Sequence, residues 1–168
     1  EIHLPAQHQT WRIATTLDTL PSSQAGVYCY QAANYLTLLD HPVEMGDFSE
    51  VTFTTHNTPH RVVVTGQHRA DLNRLSRDLT RICAAAINFW GEDAPPFNQY
   101  LFQVMAVGSG YGGLEHRSST SLLCSRDDLP LTSEPEHKLG DKYKAFLGLC
   151  SHEYFHSWLV KRIQPKVL

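Results

Sequence analysis

The residues that invite chemistry stand near the end of the chain. There Cys150-Ser151-His152-Glu153-Tyr154-Phe155-His156-Ser157-Trp158 contains two histidines four apart, with a glutamate directly after the first. On an α-helix, residues four apart share a face about one turn apart, so His152 and His156 would point the same way and could share one metal ion. Neutral imidazoles suit Zn²⁺, which at a catalytic site commonly keeps three protein ligands and one water. Glu153, beside the first histidine, would reach that water as a base, which is the arrangement of zinc peptidases. The bland alternative is a helix with two half-buried histidines and a solvated glutamate. The chain has 10 histidines in 168 residues. Residue frequencies give an accidental match a chance on the order of 3%, so the surrounding sequence has to decide.

That surrounding sequence predicts a helix from Asp141, as N-cap after Gly140, to about Val160. Phe146, Leu147, Cys150, Tyr154 and Trp158 form an apolar stripe at helical spacing. Histidines facing inward on such a helix need partners, and a metal would supply them. The metzincin pattern is excluded. It requires Gly three residues after the second His and a third His three beyond that, where this chain has Leu159 and Arg162. The other common third ligand is a Glu from a later helix. The chain begins at Glu1 and stops at Leu168, so the expectation is an excised or incomplete piece with that ligand downstream. Without that ligand, the chain is then expected to bind zinc weakly and to lack useful activity.

His152-Glu-Tyr-Phe-His-Ser-Trp-Leu-Val-Lys-Arg-Ile-Gln-Pro165 resembles the active-site segment of the glycyl aminopeptidase family, gluzincin metallopeptidases that often carry a C-terminal PDZ domain. The resemblance extends through Leu39-Asp-His-Pro-Val-Glu-Met-Gly46, Pro59-His-Arg-Val-Val-Val-Thr-Gly66 and Tyr111-Gly-Gly-Leu-Glu-His-Arg-Ser-Ser-Thr120. It implies zinc as cofactor, a peptide as substrate and a preference for N-terminal Gly or Ala. It also implies an N-terminal β domain before the catalytic one. In the related aminopeptidase N family, a Gly-x-Met-Glu-Asn strand lines the cleft and its Glu binds the substrate's free α-amine. Gly112-Gly113-Leu114-Glu115-His116 looks like its counterpart. An exopeptidase must recognise a charged amine, and a carboxylate opposite it supplies a charge-assisted hydrogen bond. Gly112 and Gly113 would leave the strand edge open to an extended peptide. For Glu115 the alternative is a solvated glutamate on a strand. For His116, substrate contact and packing beneath the strand both stay open.

The fold class expected is α+β. Residues 1–45 would be the end of an N-terminal β-rich domain, and residues 46–168 the N-terminal half of a thermolysin-like zinc catalytic domain. Trp11–Leu17 and Gly26–Tyr30 read as strand pieces, and Asn34–Asp40 is ambiguous by periodicity. Glu50–Thr55 and Arg61–Thr65 read as a hairpin around a turn at His56–His60. His56, His60 and His68 are expected to be surface turn histidines, since no Cys or carboxylate accompanies them at ligand spacing. Asp71 should cap a core-packing helix from Leu72 to about Trp90, ended by Gly91. Phe97–Val107 and Arg117–Cys124 read as strands. The glycines at 108–113 lack the Lys-Ser/Thr of a phosphate loop. Arg126–Glu136 is expected to be a solvated loop, its paired carboxylates Asp127-Asp128 and Glu134-x-Glu136 unbound to any ion.

Composition excludes several classes. Lys plus Arg number 14 against 17 Asp plus Glu, and no basic run suggests a nucleic-acid surface. No apolar stretch reaches the length of a membrane span. Cys29, Cys83, Cys124 and Cys150 show no C-x-x-C spacing and are expected as small buried residues in a reducing compartment, the cytoplasm. The function expected is removal of small N-terminal residues from peptides. The alternatives are a zinc endopeptidase of the same fold and an inactive peptide-binding module. A purely structural zinc site would need four protein ligands, and Glu153 beside the metal speaks against it.

Overall fold

The computed structural model describes residues 1–133, 135, 139–164 and 166. The chain is mixed α/β with several sheets. Its first part is made of short pieces: β1 (Ile2–His3), β2 (Arg12–Ala14), β3 (Asp18–Leu20), β4 (Val27–Gln31), helix α1 (Tyr35–Leu39) and β5 (Glu44–Gly46). β1, β4 and β3 form one small antiparallel sheet, and β2 pairs with β5 in another. Within residues 34–40, Tyr35–Leu39 resolve as helix because the Asn34 side chain accepts the backbone N–H of Thr37, a capping bond that settles the ambiguous periodicity.

The second part holds a five-stranded sheet built of β6 (Phe48–Thr55), β7 (Thr58–Thr65), β8 (Tyr100–Val107), β9 (Tyr111–Glu115) and β10 (Ser119–Ser125). Its strand order is β6-β7-β8-β10-β9. β8 runs parallel to both its neighbours, and β9 returns antiparallel along the edge. Helix α2 (Leu72–Phe89) and helix α3 (Asp141–Phe155) cover one face. Val62, Val64, Tyr100, Phe102, Val104, Leu122 and Cys124 meet Leu75, Leu79, Cys83, Ile87, Phe146, Cys150 and Tyr154 there in one buried core. The N-terminal part closes the other face, where Ala14, Phe48, Val63 and Leu101 pack together. Gln103, buried on that face, donates to the Ala14 carbonyl at 3.1 Å. A central parallel strand covered on both sides reads as a near-continuous apolar run, and β8 does so from Tyr100 to Val104 apart from this one satisfied amide.

The long helix α2 matches the sequence expectation. Asp71 caps it by accepting from Arg74 N–H at 3.0 Å, and Gly91 follows its end with φ +66°. The hairpin also forms, with a tighter turn than expected. Only His56 and Asn57 make it, with φ of +47° and +57°, the left-handed pair that matches the twist of hairpin strands. His56 Nε2 lies 3.0 Å from Asn88 Oδ1, which anchors the turn to the end of α2.

Three expectations need correction. His60 is not in a surface turn: it lies in β7 and is fully buried. β7 alternates, with Thr58, His60, Val62 and Val64 on the helix-covered face, so His60 is on the same face as the valines. Helix α3 starts one residue earlier than a cap at Asp141 requires, since Gly140 is the capping residue and Asp141 the first helical one. It also stops at Phe155 rather than Val160. Past His156 the ladder widens, with Lys161 N–H bonding the His156 carbonyl and Ile163 N–H the Trp158 carbonyl, while the Leu159 carbonyl turns to the His156 ring. In the expected solvated loop, Arg126–Asp128 form a 3-10 turn with a capping box at Ser125, and Leu129 and Pro130 are buried. Glu134 and Glu136 lie outside the described residues.

Candidate active site

Two elements meet at the site, the C-terminal half of α3 and the edge strand β9. His152 sits in the last turn of α3 and His156 caps it. Their Nε2 atoms approach to 3.0 Å. Ligands at 2.0–2.1 Å from a tetrahedral zinc are separated by roughly 3.3 Å, so the two rings already converge on one point. His156 Nδ1 is 2.7 Å from the Leu159 carbonyl. A carbonyl only accepts, so Nδ1 carries the proton and Nε2 presents its lone pair. A bond of this kind to the far ring nitrogen is what orients histidines that ligate metals in general.

Glu153, between them, is 5% exposed, and its Oε2 has no hydrogen-bond partner. Burial raises its pKa, the neighbouring Glu115 raises it further, and His152 and His156 oppose the shift. A buried carboxylate oxygen left without a partner costs free energy. Here it lies beside two converging imidazoles, and a metal with its water would satisfy it. The donor set therefore fits zinc: two imidazole nitrogens with a carboxylate next to them.

The register of β9 on β10 pairs Gly113 with Leu122, Glu115 with Thr120 and Gly112 with Leu123. Leu122 and Thr120 are buried under the helices, so Gly113 and Glu115 share the α3 side of the sheet, and Gly112 lies on the other. The two glycines therefore differ. A Cβ on Gly112 would meet nothing within 4 Å, whereas one on Gly113 would overlap the Glu153 carboxyl, 2.6 Å from its Cγ. Glu115, Glu153 and His156 bring ligand atoms within 4.8 Å of one another. Glu115 is thus grouped with Glu153 and His156, a group that does not include His152, and Gly112 and Gly113 both border a shallow groove of about 350 Å³ with Met105, Ser121 and Leu123.

His116 packs beneath the strand, 8% exposed, with Nδ1 3.7 Å from Asp40 Oδ1; burial lowers its pKa. Behind the helix, Tyr154 donates from its hydroxyl to His60 Nε2 at 2.9 Å, and His60 Nδ1 donates to the Thr58 carbonyl at 2.9 Å. Burial lowers the His60 pKa to about 4, so the ring stays neutral and its bonds keep their direction. His60 and Asp40 were not among the sequence candidates. The period-two alternation of β7 carries a signal for the first. Nothing local signals the second, whose partners lie 77 and 121 residues away.

No helix among the described residues is long and apolar enough to cross a membrane. Cys83, Cys124 and Cys150 are buried, Cys29 is half-buried, and all four are free.

Comparison with solved structures places the chain beside peptidases. An aminopeptidase N family protein from Idiomarina loihiensis is 41% identical with a TM-score of 0.90, and the match covers 98% of this chain and 27% of that one. The chain thus spans about a quarter of that relative's length. Legionella pneumophila aminopeptidase A in complex with aspartic acid shares the fold at 15% identity and TM-score 0.59, over 88% of this chain and 18% of that one. An M1 zinc metallopeptidase from Deinococcus radiodurans, bound to a Tyr-Ser-Ala substrate, does so at 14% identity and TM-score 0.54, over 90% and 32%. No curated protein sequence matches. Two family profiles do: the Peptidase M61 N-terminal domain over residues 1–47 and the M61 glycyl aminopeptidase over residues 145–168. With these two segments and that relative, the chain is of the M61 glycyl aminopeptidase family.

Proposed function

We propose that the whole protein is a zinc aminopeptidase that removes small N-terminal residues, Gly or Ala, from peptides. The observation that carries this is the convergence of His152 and His156 Nε2 at 3.0 Å beside the unpartnered Glu153 carboxylate, with Glu115 in the same cluster. His152 and His156 would hold the zinc together with a carboxylate ligand. Zinc supplies Lewis-acid polarisation of the scissile carbonyl and a lowered pKa for the attacking water. Glu153 takes that water's proton and delivers it to the leaving amine nitrogen. Burial raises its pKa, the direction that favours returning the proton to the leaving nitrogen.

Glu115 receives the substrate's α-amine. A carboxylate at this distance from the base fixes the cut one residue from the amine, since a longer N-terminal extension would have no room for its charge partner. Gly113 keeps the Glu153 carboxyl in place by carrying no side chain. The preference for Gly or Ala rests on the family resemblance. The same resemblance supports dividing the chain into a β-rich domain to residue 45 and a thermolysin-like half-domain from residue 46. The four free cysteines support a reducing compartment such as the cytoplasm.

The test compares a glycyl-anilide with its N-acetylated form, using the zinc-loaded whole protein and its Glu115→Ala variant. The free-amine substrate should be favoured in the parent, and the variant should lose about tenfold to a hundredfold of that preference. Equal cleavage of both substrates by the parent would instead assign an endopeptidase.

A further inference from the structure

The strand turn that carries Glu115 is tied to the segment following His156 by one carboxylate from the N-terminal part of the chain. Asp40 caps the C-terminus of α1. A negative charge there opposes the helix dipole, so α1 gains nothing from it. Its side chain, 16% exposed, looks instead toward the site. Asp40 Oδ2 accepts the backbone N–H of Arg117 at 3.0 Å, and Oδ1 accepts Lys161 Nζ at 3.3 Å. The triangle closes where the Arg117 guanidinium donates to the Lys161 carbonyl at 3.3 Å.

Both ends of the triangle lead into the site. Arg117 lies in the turn from β9 to β10, which His116 N–H closes on the Ser119 carbonyl at 2.9 Å, and Glu115 is the last residue of β9 before it. Lys161 N–H bonds the His156 carbonyl at 3.0 Å. One side chain therefore sets where the Glu115 turn stands relative to the backbone of His156. A residue that breaks its local helix preference is expected to serve something else, and here the long-range contacts show what.

From this geometry we infer that Asp40 is a positioning residue for amine recognition. It holds Glu115 at a fixed distance from His156 and so sets where a substrate's α-amine is received. The inference rests on Glu115 being the amine anchor, and the experiment separates the two ideas. Glycinamide and N-acetylglycinamide binding is measured by calorimetry on the zinc-loaded whole protein. The panel is the parent, Asp40→Ala, Lys161→Met, Glu115→Gln and the Asp40→Ala/Glu115→Gln pair.

Asp40→Ala should weaken glycinamide about tenfold and leave the acetylated ligand unchanged. Lys161→Met should act in the same direction with a smaller effect, and it carries the comparison alone if Asp40→Ala does not fold. The double variant should bind as Glu115→Gln does, because Asp40 acts through Glu115. If Glu115→Gln weakens glycinamide and the Asp40 and Lys161 variants do not, Asp40 has no positioning role. Equal weakening of both ligands by Asp40→Ala also overturns it, since that marks general support of the fold. If Glu115→Gln itself leaves glycinamide binding unchanged, the amine anchor is wrong and the role of Asp40 falls with it.

Discussion

The two faces of α3 lie one residue apart and meet opposite surroundings. On one side His152 is exposed, His156 half-buried, and Glu153 has a carboxylate oxygen with no partner. On the other, Tyr154 and Trp158 are fully buried. Tyr154 stands with Tyr100 at a 4.7 Å ring separation, and Trp158 donates from Nε1 to Glu92 at 2.9 Å. Every polar atom of Tyr154 and Trp158 is satisfied, as a packed interior demands. On the open face Glu153 keeps a buried carboxylate oxygen without a partner, next to the two glycines of the edge strand. The difference shows how a site is held ready. The sealed face fixes the helix by burying large rings, which stabilise by about 2–3 kcal/mol each, and the proposed metal and substrate would supply the partners that the open face lacks.

The division can be broken from either side. The largest expected effect is on the open face. Gly113→Ala places a methyl against the Glu153 carboxyl and moves the base, which should cost about a hundredfold in kcat with little change in melting temperature. A variant that keeps its turnover would show that the base does not need this clearance; one that merely melts earlier would make Gly113 a packing residue.

The smaller effect is on the sealed face. His60→Phe keeps a ring against Phe53, 4.8 Å away, and leaves the Tyr154 hydroxyl without its acceptor, at a cost of about 1–3 kcal/mol in stability near neutral pH. Its pH dependence has a definite sign. The unfolded His60 takes a proton near pH 6.5 and the folded one only near pH 4. Stability from this group is thus full above pH 6.5 and is lost as pH falls toward 4, on the order of 2 kcal/mol by about pH 5. The variant has no such slope, so its deficit against the parent should shrink on acidification. Denaturant unfolding of both proteins at about pH 7 and about pH 5 reads this directly. A deficit that stays constant would mean that His60 titrates alike in the folded and unfolded chain.

Much of this was legible in the residues. The apolar stripe Phe146, Leu147, Cys150, Tyr154 and Trp158 is the buried face of α3, because period 3.6 survives in a single helix packed on one side. The Asp71 cap, the hairpin and the run of glycines in the edge strand are likewise local signals. What stayed hidden depends on partners distant in sequence. His60 looked like a turn residue because Pro59 and Asn57 flank it, yet Pro59 lies in β7 before the pairing with β8 begins at His60, where its missing N–H does no harm. Past the early end of α3 a carbonyl turns to an imidazole, which no periodicity shows. The different duties of Gly112 and Gly113 follow from the register on β10, and register was not readable from β9 alone.

The most direct measurement is turnover of a glycyl-anilide by the zinc-loaded whole protein beside its Glu153→Gln variant, with zinc content measured in both. A parent that turns over, and a variant with the same zinc and turnover lower by about a thousandfold, is the predicted result. Undiminished turnover in the zinc-bound variant would contradict the role given to Glu153 and, with it, the mechanism built on the two converging histidines.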